Sequence, residues 1–142
     1  FELHRHVRKN KLGHVLFAPL DIKISEEPFR TRQPDVLFIS TERSGFTNID
    51  SLYGVQLLEV APELVIEILS PSDIRKKVEE KLSDYQKIGV QECWLVSPEA
   101  ETVEVLKLKS DSIERIGIFG VGDPIQTGVL PELSLSVDEI FE

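Results

Sequence analysis

The chain has 142 residues, 41% of them hydrophobic and 29% charged, which fits one soluble domain large enough to bury a core without disulfide staples. Its 25 acidic residues outnumber 16 Lys and Arg, for a net charge of −9. That balance argues against tight non-specific binding to a nucleic-acid backbone, where release of counterions rewards a basic surface. The single cysteine, Cys93, excludes an internal disulfide and suggests a reducing compartment. No apolar run approaches the roughly 18 residues of a membrane span and no signal-peptide pattern opens the chain, so the cytoplasm is the expected location.

Taken in order, residues 1–11 place Leu3 and Val7 at helical spacing among His and Arg, and read as the end of a polar-faced helix stopped by Gly13. Because the chain opens inside that helix and without Met, a trimmed N-terminus is expected for a single domain over residues 1–142. Residues 14–19 and 20–25 read as two strands joined by a hairpin turn at residues 19–21. A short β-rich run, residues 36–39, is entered through Pro34-Asp35. Residues 41–61 lack a clear period and predict a long loop with a helical turn near residues 51–53, of the kind that is often functional.

Leu64-Val65-Ile66-Glu67-Ile68-Leu69 is the strongest strand signal, apolar on both faces as a central strand of a covered sheet would be. Ser70-Pro71-Ser72-Asp73 then supplies a turn and N-cap chemistry for a helix. That helix carries Val78, Leu82, Tyr85 and Ile88 on one face, Lys and Glu on the other, and stops at Gly89. Residues 92–96 form another buried strand holding Trp94. Residues 102–108 and 113–119 alternate as an antiparallel pair around Ser110-Asp111. The tail predicts a short extended piece and a helical turn capped at Ser136. Strands on both sides of one strong helix imply an α/β fold, a mixed sheet with helices against it.

Glu67 is the functional clue. A charge in the middle of an apolar strand costs several kcal/mol unless it is paired, protonated or bound to a metal. Asp35 poses a milder form of the problem at the start of its own strand. Two carboxylates on neighbouring strands can offer hard oxygen ligands to Mg²⁺ or Mn²⁺, and such an ion can activate water and stabilise charge on a phosphate under in-line attack. The plainer reading is a Glu at a sheet edge paired with Lys or Arg.

Other chemistry-bearing residues have plain explanations. Trp94 and Cys93 read as core, Cys93 as an inert buried thiol. His4 and His6 read as surface residues of the basic N-terminal helix, and His14 is uninterpretable alone. Ser70 and Ser72 lack a nucleophile elbow and suit a turn. Arg32 could neutralise the acidic site, touch a phosphate, or form an ordinary salt bridge.

Several segments together resemble the Uma2 family. They are Arg32-Gln33-Pro34-Asp35-Val36, the run from Pro62 through Glu67 to Ser72, Lys81 with Tyr85, Gly89-Val90, and Glu92-Cys93-Trp94. The resemblance extends from Leu12-Gly13 to Leu130-Pro131-Glu132-Leu133 and Ile140-Phe141. It implies the PD-(D/E)XK nuclease fold, a restriction-endonuclease-like mixed central β-sheet flanked by α-helices. It also implies a metal-dependent endonuclease that hydrolyses DNA phosphodiester bonds. Asp35 matches the Pro-Asp signature and Glu67 the second acidic signature. With the Ile68 carbonyl they would bind Mg²⁺ or Mn²⁺. The usual lysine two residues after the Glu is replaced by Leu69, and the family pattern supplies it from the next helix as Lys81, which would position or activate the attacking water. Lys77 stands where the family often has Asp, a departure that could weaken catalysis or favour phosphate contact.

Two rivals share these residues. The same fold could be a catalytically inactive module that binds DNA or a protein partner, a reading favoured by the net acidity, Leu69 and Lys77. Alternatively, the edge strands of the C-terminal hairpin could pair two copies into a homodimer with no chemistry.

Overall fold

The computed structural model describes residues 12–18, 20–44, 57–130, 133 and 135–140. The predicted helix over residues 1–11 and the helical turn near residues 51–53 lie outside them, as do His4 and His6.

The strands are β1 (Gly13–Phe17), β2 (Asp21–Ser25), β3 (Arg30–Arg32), β4 (Val36–Ser40), β5 (Leu57–Leu58), β6 (Leu64–Ile68), β7 (Glu92–Ser97), β8 (Thr102–Leu108) and β9 (Ile113–Phe119). The helices are α1 (Thr41–Ser44), α2 (Arg75–Ile88) and α3 (Val137–Ile140). Six strands form a mixed sheet in the order β1-β4-β6-β7-β8-β9, and β3-β2-β5 form a smaller second sheet. In the large sheet β6 and β7 run parallel and the remaining pairs are antiparallel. The 14-residue α2 is the crossover between the parallel strands, as their geometry requires.

Alternation along the strands divides the large sheet into two buried faces. On the first, Phe38, Leu64, Ile66 and Trp94 are covered by the C-terminal segment through Ile125, Leu130, Leu133 and Val137. On the second, Leu37, Val65, Cys93 and Leu95 are covered by Leu82 and Tyr85 of α2, by Ile22 of the small sheet and by Leu20 just before it. The β6 run is apolar on both faces for this reason. Trp94 and Cys93 are core residues, as expected, and burial drives the Cys93 thiol well above its ordinary range, so it stays protonated and unreactive. The β8–β9 hairpin is present as predicted, with Leu108 opposite Ile113 at its turn.

Two expectations are corrected. The predicted hairpin between the first two strands does not form: β1 pairs with β4 in the large sheet, while β2 pairs with β3 and β5 in the small one. Leu20, assigned to the turn, is instead buried in the second-face core, so the chain passes inward between sheets rather than reversing at the surface. The capping chemistry before α2 also differs. The N-cap position is Ile74, without a side-chain cap. Asp73 turns back to accept the Ser70 N–H at 2.6 Å and the Ser70 hydroxyl at 3.3 Å, so its carboxylate closes a local turn that competes with capping. At the other end Gly89 adopts φ 94, and the following Val90 N–H reaches the Tyr85 carbonyl at 3.0 Å, closing the helix as expected of a glycine C-cap.

Candidate functional site

The register of β4 against β6 sets Val36 opposite Ile66. One step further, Asp35 lies beside the C-terminal end of β6, where its Oδ2 accepts the Ile68 backbone N–H at 2.7 Å. Strand alternation sends Asp35, like Leu37 and Ile39, toward the α2 side of the sheet. It sends Glu67, like Val65, the same way. The two predicted carboxylates therefore share one face at one end of the sheet.

Glu67 is 4% exposed. The Tyr85 hydroxyl donates to its Oε1 at 2.5 Å, and the Lys81 ammonium stands 3.7 Å from its Oε2, an ion-pair distance rather than a hydrogen bond. Lys81 and Tyr85 sit one turn apart on α2 and so project from the same side of the helix. The geometry thus brings together Asp35, Glu67, the Ile68 backbone, Lys81 and Tyr85. It leaves Lys77 exposed and Leu69 half-buried in the second-face core.

Burial is the main cause that pushes the Glu67 carboxyl above its ordinary range. The nearby Asp35 charge adds to the rise, and the Tyr85 hydrogen bond and Lys81 oppose it. The Tyr85 phenol is driven far above its usual range, first by burial and then by the Glu67 charge, so it acts as a fixed hydrogen-bond donor. At the start of α2, the Ser70 N–H bond holds the Asp73 carboxyl below the ordinary carboxylate range.

Behind this cluster, Arg30 Nη2 and Arg32 Nε both donate to Asp84 Oδ2, each at 2.7 Å. Arg32 is thus the salt-bridge partner of a mostly buried carboxylate on α2. The tie anchors β3 to the helix one residue before Tyr85. Sequence reading missed Asp84. The available signal was a pair of arginines at i and i+2 of a strand, on one face, together with an acid beside the apolar stripe of a helix.

Among the described residues, no group of three or more His, Cys, Asp and Glu side chains gathers as a metal cluster. Any cation here would rest on the Asp35 and Glu67 carboxylates plus backbone and water oxygens. Each carboxylate has one oxygen held by a protein donor. The other, Asp35 Oδ1 or Glu67 Oε2, accepts no hydrogen bond from the described residues. A groove of about 650 Å³ lies under the N-terminal half of α2, with Leu69, Ser70, Val78, Leu95, Glu104 and Arg115 among its walls and none of the five clustered residues lining it. No helix among the described residues is long and apolar enough to cross a membrane.

Comparison with known proteins agrees with this architecture. A crystal structure of a protein from Anabaena variabilis ATCC 29413, described as a "putative nuclease belonging to DUF820", superposes with a TM-score of 0.74 at 22% identity, covering 99% of this chain and 74% of that one. At that identity the likeness establishes the fold, a mixed sheet with helices of the nuclease-like kind. No curated protein matches the chain. The family model for Uma2, described as "Putative restriction endonuclease", matches residues 1–138, and the chain therefore belongs to the Uma2 family.

Proposed function

We propose that this protein is a metal-dependent nuclease that hydrolyses phosphodiester bonds of DNA. The observation that carries the reading is the convergence of Asp35, Glu67 and Lys81 at the C-terminal end of β6, with one oxygen of each carboxylate left over. Membership in a family described by a nuclease activity supports it.

The donor set fits Mg²⁺ or Mn²⁺. These ions prefer hard oxygens and typically take one or two protein carboxylates, with water completing the shell. The Ile68 carbonyl is the third protein ligand in this reading. The N–H and C=O of one strand residue project to the same side, and the Ile68 N–H already faces Asp35. When bound, the ion would supply Lewis-acid stabilisation of the phosphate and lower the pKa of a coordinated water. The chain's own residues do the rest. Asp35 and Glu67 fix the site at the end of β6, and the Lys81 ammonium, beside Glu67 Oε2, orients the attacking water and offsets charge on the phosphate. Exposed Arg75, Lys76 and Lys77 in the first turn of α2, with Lys87 in its last, put local positive charge around the helix despite the net charge of −9, Arg75 being paired with Glu79 at 3.0 Å. The reading keeps the cytoplasm, expected from the single cysteine and the absence of a signal-peptide pattern, as the place where DNA is met.

The test is cleavage of DNA with Mg²⁺ or Mn²⁺, paired with Mn²⁺ calorimetry. Metal-dependent cutting that is lost in Glu67→Ala and Lys81→Ala supports the mechanism; equal cutting by these variants and the wild type sinks it. The rival is a binding module with a vestigial site, favoured by the ion pair that Lys81 already makes with Glu67. It predicts DNA binding with no Glu67-dependent Mn²⁺ binding.

A further inference from the structure

We propose that Tyr85 is a positioning residue for this site: its hydroxyl pins Glu67 in the one carboxylate orientation that leaves Oε2 facing the cation position and Lys81. The inference rests on the metal-dependent reading above and assigns a task to a residue which that reading does not use.

A Glu side chain has three rotatable bonds, and its two oxygens exchange by rotation about the last. Those two oxygens are equivalent, and nothing intrinsic to Glu67 fixes the plane of the carboxylate or the direction in which its second oxygen is offered. Tyr85 decides both. Its hydroxyl takes Oε1 at 2.5 Å, while Oε2 stays free of hydrogen bonds from the described residues and faces the Lys81 ammonium at 3.7 Å. The ring that carries the hydroxyl is itself fixed. Tyr85 is 0% exposed, sits in the second-face core with Leu82 and Val65, and follows Asp84, which the two arginines tie to β3. A donor set by packing and a neighbouring ion pair cannot follow the carboxylate if it swings, so the carboxylate is held instead.

Asp35 is treated in the same way by a different device. Its Oδ2 is taken by the Ile68 N–H, a backbone donor set by the strand register. Each carboxylate thus has one oxygen anchored to the frame and one offered. For Asp35 the backbone does this, and for Glu67 a side chain does, which makes the Glu67 anchor removable by one atom. Hydrogen-bond partners of this kind, standing behind a metal-binding group, typically change metal affinity by about 10- to 100-fold when removed.

The experiment removes that atom with Tyr85→Phe, which retains the buried ring. Trp94 lies on the opposite face of the sheet, and its fluorescence reports the fold independently of the site. Mn²⁺ affinity is measured by calorimetry without DNA. The Mn²⁺ dependence of cleavage is measured separately, as the half-activating concentration and the rate at saturation. The expected result is a folded variant with Mn²⁺ affinity about 10-fold weaker, a half-activating concentration raised by a similar factor, and a saturated rate within about threefold of wild type. A merely structural role would instead lower the saturated rate, through a smaller active fraction, and leave the half-activating concentration in place. Wild-type Mn²⁺ affinity in Tyr85→Phe overturns this proposal alone and leaves the nuclease reading standing. So does a variant that no longer folds, since the hydroxyl would then serve the fold. Absence of Mn²⁺ binding by the wild-type protein overturns the metal-dependent reading and this inference with it.

Discussion

Two buried glutamates on neighbouring parallel strands show what distinguishes a site from a strut. Glu67 on β6 and Glu92 on β7 are 4% and 2% exposed, yet they point to opposite faces of the sheet. Glu92 is satisfied by neutral donors. Its Oε1 accepts Trp94 Nε1–H at 2.8 Å and the Thr127 hydroxyl, and its Oε2 accepts the Gly128 N–H at 3.0 Å. These bonds lash β7 to the segment that covers the first face. Glu67 has one neutral donor, an ammonium at ion-pair distance and a second carboxylate nearby. Burial of a charge is common to both. Of the two, only Glu67 has an oxygen that accepts no hydrogen bond from the described residues and a second carboxylate nearby, and those are the features a cation can exploit.

The contrast can be broken most sharply by truncating each glutamate. Glu67→Ala is expected to lower metal-dependent DNA cleavage by roughly 10²–10³-fold, because it removes a ligand of the cation, and Lys81→Ala by a similar factor, because it removes positive charge beside the reacting phosphate. Glu92→Ala should leave the cleavage rate of the folded fraction within about threefold while costing roughly 2–4 kcal/mol in urea unfolding, since the buried Trp94 N–H and two donors of the covering segment lose their acceptor. A Glu92 variant that folds normally but cannot cut would erase the distinction.

Lys81→Met separates binding from turnover. The long apolar stem is kept and the competing ammonium removed, so calorimetric Mn²⁺ affinity should hold or tighten by up to about tenfold while cleavage is lost. Weaker Mn²⁺ binding in this variant would mean that Lys81 shapes the cation position rather than sharing it.

The smallest effect concerns pH. The folded-state pKa of Glu67 is raised above the ordinary carboxylate range, chiefly by burial. The protonated carboxyl is therefore the form the fold favours, and stability is lost as pH rises through the raised value. Glu67→Gln mimics the protonated form. Without metal it should melt a few degrees above wild type near pH 7, and the gap should close as pH falls below the unfolded value. A gap that widens in acid would show that the Glu67 charge is stabilised by Lys81 and Tyr85 overall.

Much of this was legible from local pattern. Unbroken hydrophobicity over residues 64–69 marked a central strand and made Glu67 conspicuous, while 3.6-residue spacing and Gly89 bounded α2. Resemblance added Lys81, and the helix does turn it toward Glu67. Glu92 was legible only as part of the Glu92-Cys93-Trp94 segment, and its burial was not, because it stands at the start of its strand, where a charge ordinarily reaches solvent. Tyr85 was legible as part of an apolar stripe, but a stripe does not reveal where a hydroxyl ends.

The amino-acid sequence by itself determined the elements whose reasons are local: the apolar run of β6, the amphipathic face and glycine stop of α2, the alternation of β8 and β9, and the family to which they belong. Only the tertiary structure decided what depends on non-local register. It put β1 and β2 in different sheets, turned Asp73 back on Ser70, tied both arginines to Asp84 and satisfied Glu92 from a loop thirty-odd residues on. It also set the Tyr85 hydroxyl against Glu67, which fixes the plane of that carboxylate. Periodicity and capping act over a few residues and can be read along the chain. The partner of a buried polar atom is set by which strands pair and in what register, and that is settled only when the core closes.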